Sequence, residues 1–202
     1  MKFRFLPAAL LVLGLAVAAP AKVPATVTDD VKKTVDEVIQ IVQNKEMKKQ
    51  QNEQKRRAAL KKAIGRIFDY SEMAKRSMAT HWKSRTPAEQ KEFTTLFETL
   101  LENSYAGKIE SYNDEKIVYL KESMNGEYAE VRSKVVTAKR DEFSLEYRLI
   151  KKGNKWMVYD VVIEGVSLIS NYRTQFNKVI TSQGYGELLK KMKSKSAEIA
   201  AM

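Results

Sequence analysis

The chain has 202 residues, 44% of them hydrophobic, and carries 36 Lys and Arg against 25 Asp and Glu, a formal charge of +11. It contains no cysteine and one histidine, His81. Disulfides, thiol nucleophiles and thiolate metal sites are thereby excluded, and any Ser/His/Asp arrangement would hang on that single imidazole.

At the N-terminus, Lys2 and Arg4 precede an apolar run from Leu6 to Ala19, broken only by Pro7 and Gly14. Ala19-Pro20-Ala21 then offers a small-residue cleavage site. This layout predicts a secretory signal peptide over residues 1–21, cleaved before Lys22. The run falls short of the about 20 apolar residues that span a bilayer. Residues 22–202 are read as one exported domain, and losing Lys2 and Arg4 lowers the charge from +11 to +9. A basic chain often binds nucleic acid, but export favours anionic lipid surfaces or an acidic protein instead.

Thr28-Asp29-Asp30 predicts a helix start, followed by Val31, Val35, Val38, Ile39 and Val42 at helical spacing. Lys45 to Lys62 is strongly polar, and Leu60, Ile64, Ile67 and Phe68 close a second amphipathic helix. Asp69 is expected to cap a short surface helix carrying Met73 and Met78. Thr86-Pro87-Ala88-Glu89 combines a capping box with proline at the first helical position. Phe93, Leu96, Phe97, Leu100, Leu101 and Tyr105 form one broad apolar face behind it.

After Asp114 the period changes from helical to alternating. Ile117 to Leu120 is β-prone, and Asn125-Gly126 marks a hairpin. Ala129, Val131, Ser133 and Val135 alternate with polar residues, as do Phe143, Leu145, Tyr147 and Leu149. Gly153-Asn154 marks another turn, and Trp156 to Ile163 is the last strand. Trp156, Val158 and Val162 are expected on one face, with Tyr159, Val161 and Ile163 on the other. Gly165 is expected to end the sheet, Ser167 to cap a helix through Leu168, Ile169, Tyr172 and Phe176, and Leu188, Leu189 and Met192 to mark a final helix. The prediction is an α+β fold: a helical part over about 27–112, a four-stranded antiparallel meander over about 115–164, and C-terminal helices over about 167–200.

Groups poised for catalysis are scarce. His81 sits beside Trp82 and reads as structural, and no HExxH, P-loop, GxGxxG or EF-hand pattern occurs. Asp160 and Glu164 fall on one face at strand spacing, a placement open to acid/base work. The favoured reading is that Asp160 accepts hydrogen bonds from a helix end or an arginine such as Arg173. No catalytic residue, metal ligand or cofactor is expected. What the chain offers is apolar and aromatic surface around a small sheet, and its pattern leaves open a filled core or a hollow one. Two dense basic segments, one including Lys55, Arg56, Arg57 and Lys61, the other Lys190 to Lys195, suit docking to anionic groups.

Two ordered sets of residues resemble the MlaC family of phospholipid-binding proteins. The first is Phe68-Asp69-Tyr70, Met73-Ala74, Trp82 and Thr86-Pro87-Ala88-Glu89-Gln90, continued by Phe93, Phe97, Leu100-Leu101-Glu102 and Tyr105. The second is Trp156, Val158-Tyr159-Asp160-Val161, Glu164-Gly165-Val166-Ser167-Leu168, Asn171-Tyr172-Arg173 and Gln175-Phe176. Ala79 departs from the pattern, where glycine is expected three residues before Trp82. The resemblance implies a monomeric periplasmic carrier, in which an NTF2-like sheet and a helical subdomain enclose acyl tails. It implies three partners: phospholipid, an inner-membrane ABC transporter bearing a ring of MCE domains, and an outer-membrane lipoprotein-porin complex, with transient contact at the membrane surface. The expected cavity residues are Phe97, Leu100, Leu101, Tyr105, Val131, Leu145, Tyr147, Trp156, Val158, Val161, Ile163, Val166, Ile169 and Tyr172. A carrier of another apolar ligand, such as a hopanoid, and a chaperone-like protein with a packed core remain open alternatives.

Overall fold

The computed structural model describes residues 26–200, so the expected signal peptide and its cleavage site lie outside the described residues. Helix α1, Val27–Gln43, starts ahead of the expected cap: Thr26 and Asp29 close a reciprocal capping box. Val27, Val31 and Val42 are buried, while Val35, Val38 and Ile39 between them are only half-buried. A 3₁₀ turn at Gln50–Asn52 leads into the polar helix α2, Glu53–Ile64. Helix α3, Tyr70–Met78, is capped by the Asp69 carboxylate, which accepts the Glu72 N–H at 2.9 Å. The expected surface placement does not hold, since Met73 and Met78 are each 1% exposed. Helix α4, Pro87–Glu110, has 24 residues, with the Thr86/Glu89 capping box and Pro87 where they were expected.

The sheet comprises β1 Lys116–Asn125, β2 Tyr128–Val136, β3 Glu142–Lys152, β4 Lys155–Ile163 and a fifth strand, β5 Val166–Ser167, in consecutive antiparallel order. Gly165 therefore does not end the sheet. Glu164 at φ +50° and Gly165 at φ +75° make a two-residue turn with both central residues left-handed, which folds Val166 back against Ile163. Helix α5, Leu168–Gln183, follows at once, capped by Ser167, and Gly184 separates it from α6, Tyr185–Ala200.

One irregularity reverses an expectation. Arg148 pairs with Asp160 but Leu149 pairs with Val158, so Tyr159 is the extra residue of a β-bulge. Because side chains alternate, a bulge switches every residue beyond it to the other face. Val161 and Ile163 therefore join Trp156 and Val158 against β3 residues Tyr147 and Leu145, while Val162 and Tyr159 turn the other way.

The apolar residues gather in two cores. In one, α3, α4, α5 and α6 meet around Phe93, Phe97, Phe176 and Tyr172, with ring centroids 5.1 to 5.9 Å apart. In the other, α1 and Ile67 cover the sheet face formed by Val131, Leu149, Val158 and Val161. The two are joined at Phe68, whose neighbours exchange backbone hydrogen bonds with Val158: Asp69 N–H to Val158 C=O at 2.9 Å, and Val158 N–H to Ile67 C=O at 2.6 Å.

Candidate functional site

Two apolar lobes lie where α1, α2, α4 and the sheet fail to close on one another. The first, 260 Å³, is framed by α2 and α4 and lined by Leu60, Ile64, Leu101, Tyr105, Ala106 and Ile109. The second, 330 Å³, lies between α1, the end of α4 and the sheet, lined by Val35, Val38, Ile39, Phe68, Phe143 and Tyr147. Ile64 and Ile109 line both. Helix periodicity explains the walls. Leu101, Tyr105 and Ile109 recur every fourth residue along α4, so the stripe that packs the helical core near Leu101 runs on into the gap. The stripe of α1 is likewise buried at its ends and faces the second lobe in the middle.

Volumes of this size suit an elongated apolar ligand. As sealed voids of 260 and 330 Å³ they would cost about 6 and about 8 kcal/mol at about 24 cal/mol per Å³. Open to water, they expose apolar walls instead, and an alkyl ligand relieves that exposure at about 0.8 kcal/mol per CH₂.

The polar groups around the first lobe form its rim. Lys61 on α2 reaches Glu98 at 3.1 Å and Glu102 at 3.0 Å on α4, and Arg56 reaches Glu110 at 2.9 Å. Burial raises the Glu102 carboxyl above its ordinary range, opposed by Lys61 and reinforced by Glu98. Burial is also the first cause of the raised phenols of Tyr70, Tyr105 and Tyr147, so these side chains stay neutral.

Asp160, 4% exposed, is fully engaged. It accepts the Ile169 N–H at the start of α5 at 3.0 Å, the Ser167 hydroxyl at 2.6 Å, and Arg148 at 3.3 Å. The arginine is thus Arg148 and not Arg173, which donates to Ser170 Oγ within its own helix at 2.8 Å. Glu164 accepts the Ser144 N–H at the edge of β3. His81 Nε2 lies 2.9 Å from Asn177 Oδ1, joining α5 to the turn after α3. Each of these groups holds neighbouring elements together. Among the described residues there is no cluster of three or more His, Asp or Glu placed to hold a metal ion.

The fourteen expected cavity residues are divided among several places. Leu101 and Tyr105 line the first lobe and Tyr147 the second. Val131, Leu145, Trp156, Val158, Val161 and Ile163 belong to the core beneath α1 and the sheet. Phe97, Leu100, Ile169 and Tyr172 belong to the helical core. Val166 stands 61% exposed on β5, outside both lobes. Sequence reasoning passed over Leu60, Ile64, Ala106, Ile109, Val35, Val38 and Ile39, although the helical periods through Leu101 and Val31 reach most of them.

A family model described as "MlaC protein" matches residues 32–194. Over 126 residues, 60% of this chain, the sequence is 27% identical to the intermembrane phospholipid transport system binding protein MlaC of Haemophilus influenzae, covering 59% of that protein. Over 128 residues, 62% of the chain, it is 26% identical to the toluene tolerance protein ttg2D of Pseudomonas putida, covering 60% of it. The aligned stretches thus span less than two thirds of either relative. The fold is similar to that of the phospholipid-binding protein from Ralstonia solanacearum, solved in complex with a phospholipid: TM-score 0.79, 28% identity, 87% of this chain and 99% of that one.

Proposed function

The chain belongs to the MlaC family, and from that premise we propose that it is a periplasmic carrier that holds the acyl tails of a phospholipid in its two apolar lobes and ferries the lipid between the inner and outer membranes. The observation that carries the reading is the pair of lobes meeting at Ile64 and Ile109. Exposing one acyl chain to water costs roughly 10 kcal/mol or more. A lipid therefore crosses an aqueous compartment only with its tails covered, and a carrier needs walls of this kind and no reacting group. In this reading the chain is not an enzyme, and residues 22–202 work as one monomeric domain after removal of a signal peptide. Its partners are the inner-membrane Mla ABC transporter with its MCE ring and the outer-membrane lipoprotein-porin complex, and it takes no nucleic acid.

The test fills a lobe without cutting into a core. Ala106 lines the first lobe with space in front of it, so Ala106→Trp should occupy the volume that a tail would take. Uptake of fluorescent phosphatidylglycerol from vesicles by emptied protein should fall at least tenfold. The thermal midpoint of the emptied variant should be unchanged or higher. Normal uptake by a folded Ala106→Trp variant would refute the assignment of the lobes.

A further inference from the structure

On the sheet face opposite the second lobe, α3, the start of α5 and strands β2 to β4 enclose a polar cleft of 600 Å³. The guanidinium of Arg76 lies 3.9 Å from the ring centre of Tyr159 and 5.8 Å from that of Tyr128, and the two rings meet edge to face. Trp82 and Arg148 complete the inner wall, and Arg173 and Lys83 stand at the rim.

The charges here do not balance. With Lys75, five cations line the cleft against two carboxylates, Glu72 and Asp160. Both carboxylates are already engaged: Glu72 by Arg76 at 2.8 Å and Lys75 at 3.7 Å, and Asp160 by the three donors described above. Among the described residues, neither Lys83 nor Arg173 takes part in an ion pair. Tyr128 is 46% exposed, so nearly half of it stays open to a partner. Ala79, on the same wall, is held at φ +47°, a conformation that costs an L-residue about 1–3 kcal/mol and concentrates at functional sites.

We propose that this cleft docks an acidic segment of a partner protein. Its Asp or Glu side chains meet Lys83 and Arg173, and its flanking residues lie on Tyr128 and Trp82. Tyr, Trp and Arg are the residue types that dominate binding energy at protein interfaces, and here they converge in one concavity. A flat bilayer surface does not reach the recessed Arg76 and Arg148, whose side chains are only 31% and 37% exposed. A lone phosphate fills little of 600 Å³. Opposite charge would speed the encounter and set its orientation. The proposal does not depend on the lipid assignment, because the cleft shares no lining residue with either lobe.

The full mature chain would be titrated against dye-labelled decaglutamate, with fluorescence anisotropy as the readout. The double variant Lys83→Glu/Arg173→Glu should weaken binding at least tenfold, and Tyr128→Ala, which changes no charge, at least threefold. Lys116→Glu/Lys139→Glu carries the same change in net charge at exposed positions outside the cleft and both basic segments, and should weaken binding less than twofold. All five substituted positions are exposed, so thermal midpoints should stay within error. Equal losses in the two charge-reversed pairs, or no peptide binding by the unaltered chain, would overturn the proposal. So would competition by low-millimolar inorganic phosphate, which indicates a small-anion site. So would loss of binding to phosphatidylglycerol vesicles in Lys83→Glu/Arg173→Glu with peptide binding intact, which indicates a membrane surface.

Discussion

Ala79 ends α3 at φ +47° and ψ −121°, where the methyl group of an L-residue is crowded and glycine is at ease. Glycine was expected there from the resemblance, and the backbone supplies the physical reason. Ala79→Gly should therefore raise stability by about 1 kcal/mol, the relieved strain outweighing the extra freedom of glycine in the unfolded chain. A higher urea midpoint with an unchanged slope is the expected result. The tyrosines give a second prediction at this scale. Burial pushes the phenols of Tyr119 and Tyr185 up to about 12, helped at Tyr119 by Asp36 and at Tyr185 by Glu89 and Glu92. A folded-state value above the unfolded value of about 10 means that the stabilisation is whole below pH 10 and is lost as pH climbs toward 12. Phenolate absorbance in an alkaline titration should rise in two parts, exposed tyrosines first, with the late part coinciding with loss of near-ultraviolet circular dichroism.

Helix α2 is tied to α4 across the first lobe by ion pairs at the rim, and Lys61 serves Glu98 and Glu102 together. Lys61→Gln would leave these two carboxylates, one helical turn apart, without their cation. Lys61 is half exposed, so the loss should be modest, about 0.5 kcal/mol at pH 7. The Glu102 pKa is already raised by burial and would rise further, so the variant should lose stability as pH increases from 5 to 7. Thermal midpoints at both pH values check this. The elements themselves were largely legible from sequence. The Thr86/Glu89 box fixed the start of α4, and strict alternation from Ala129 to Val135 fixed β2. The bulge at Tyr159 was not, because no glycine marks it, and missing it inverted the faces of Val161 and Ile163. Glu164 likewise hid a left-handed turn behind an ordinary residue type, and so concealed β5.

At the scale of the whole molecule, the candidate site was less legible than the fold, for a physical reason. An apolar side chain at helical spacing looks the same in sequence whether it meets another side chain or an empty lobe. Leu101 and Ile109 share one stripe of α4, yet Leu101 also packs the helical core while Ile109 faces only the gap. What separates them is where α3 and α6 stop packing against α4, a property of three helices at once. The account rests on that gap being filled by lipid. Native mass spectrometry of protein purified from cells without detergent tests it most directly. The account predicts the chain plus the mass of a phospholipid, with the Ala106→Trp variant appearing bare. A wild-type chain that flies bare under gentle conditions, or one that carries a hopanoid mass, would contradict it.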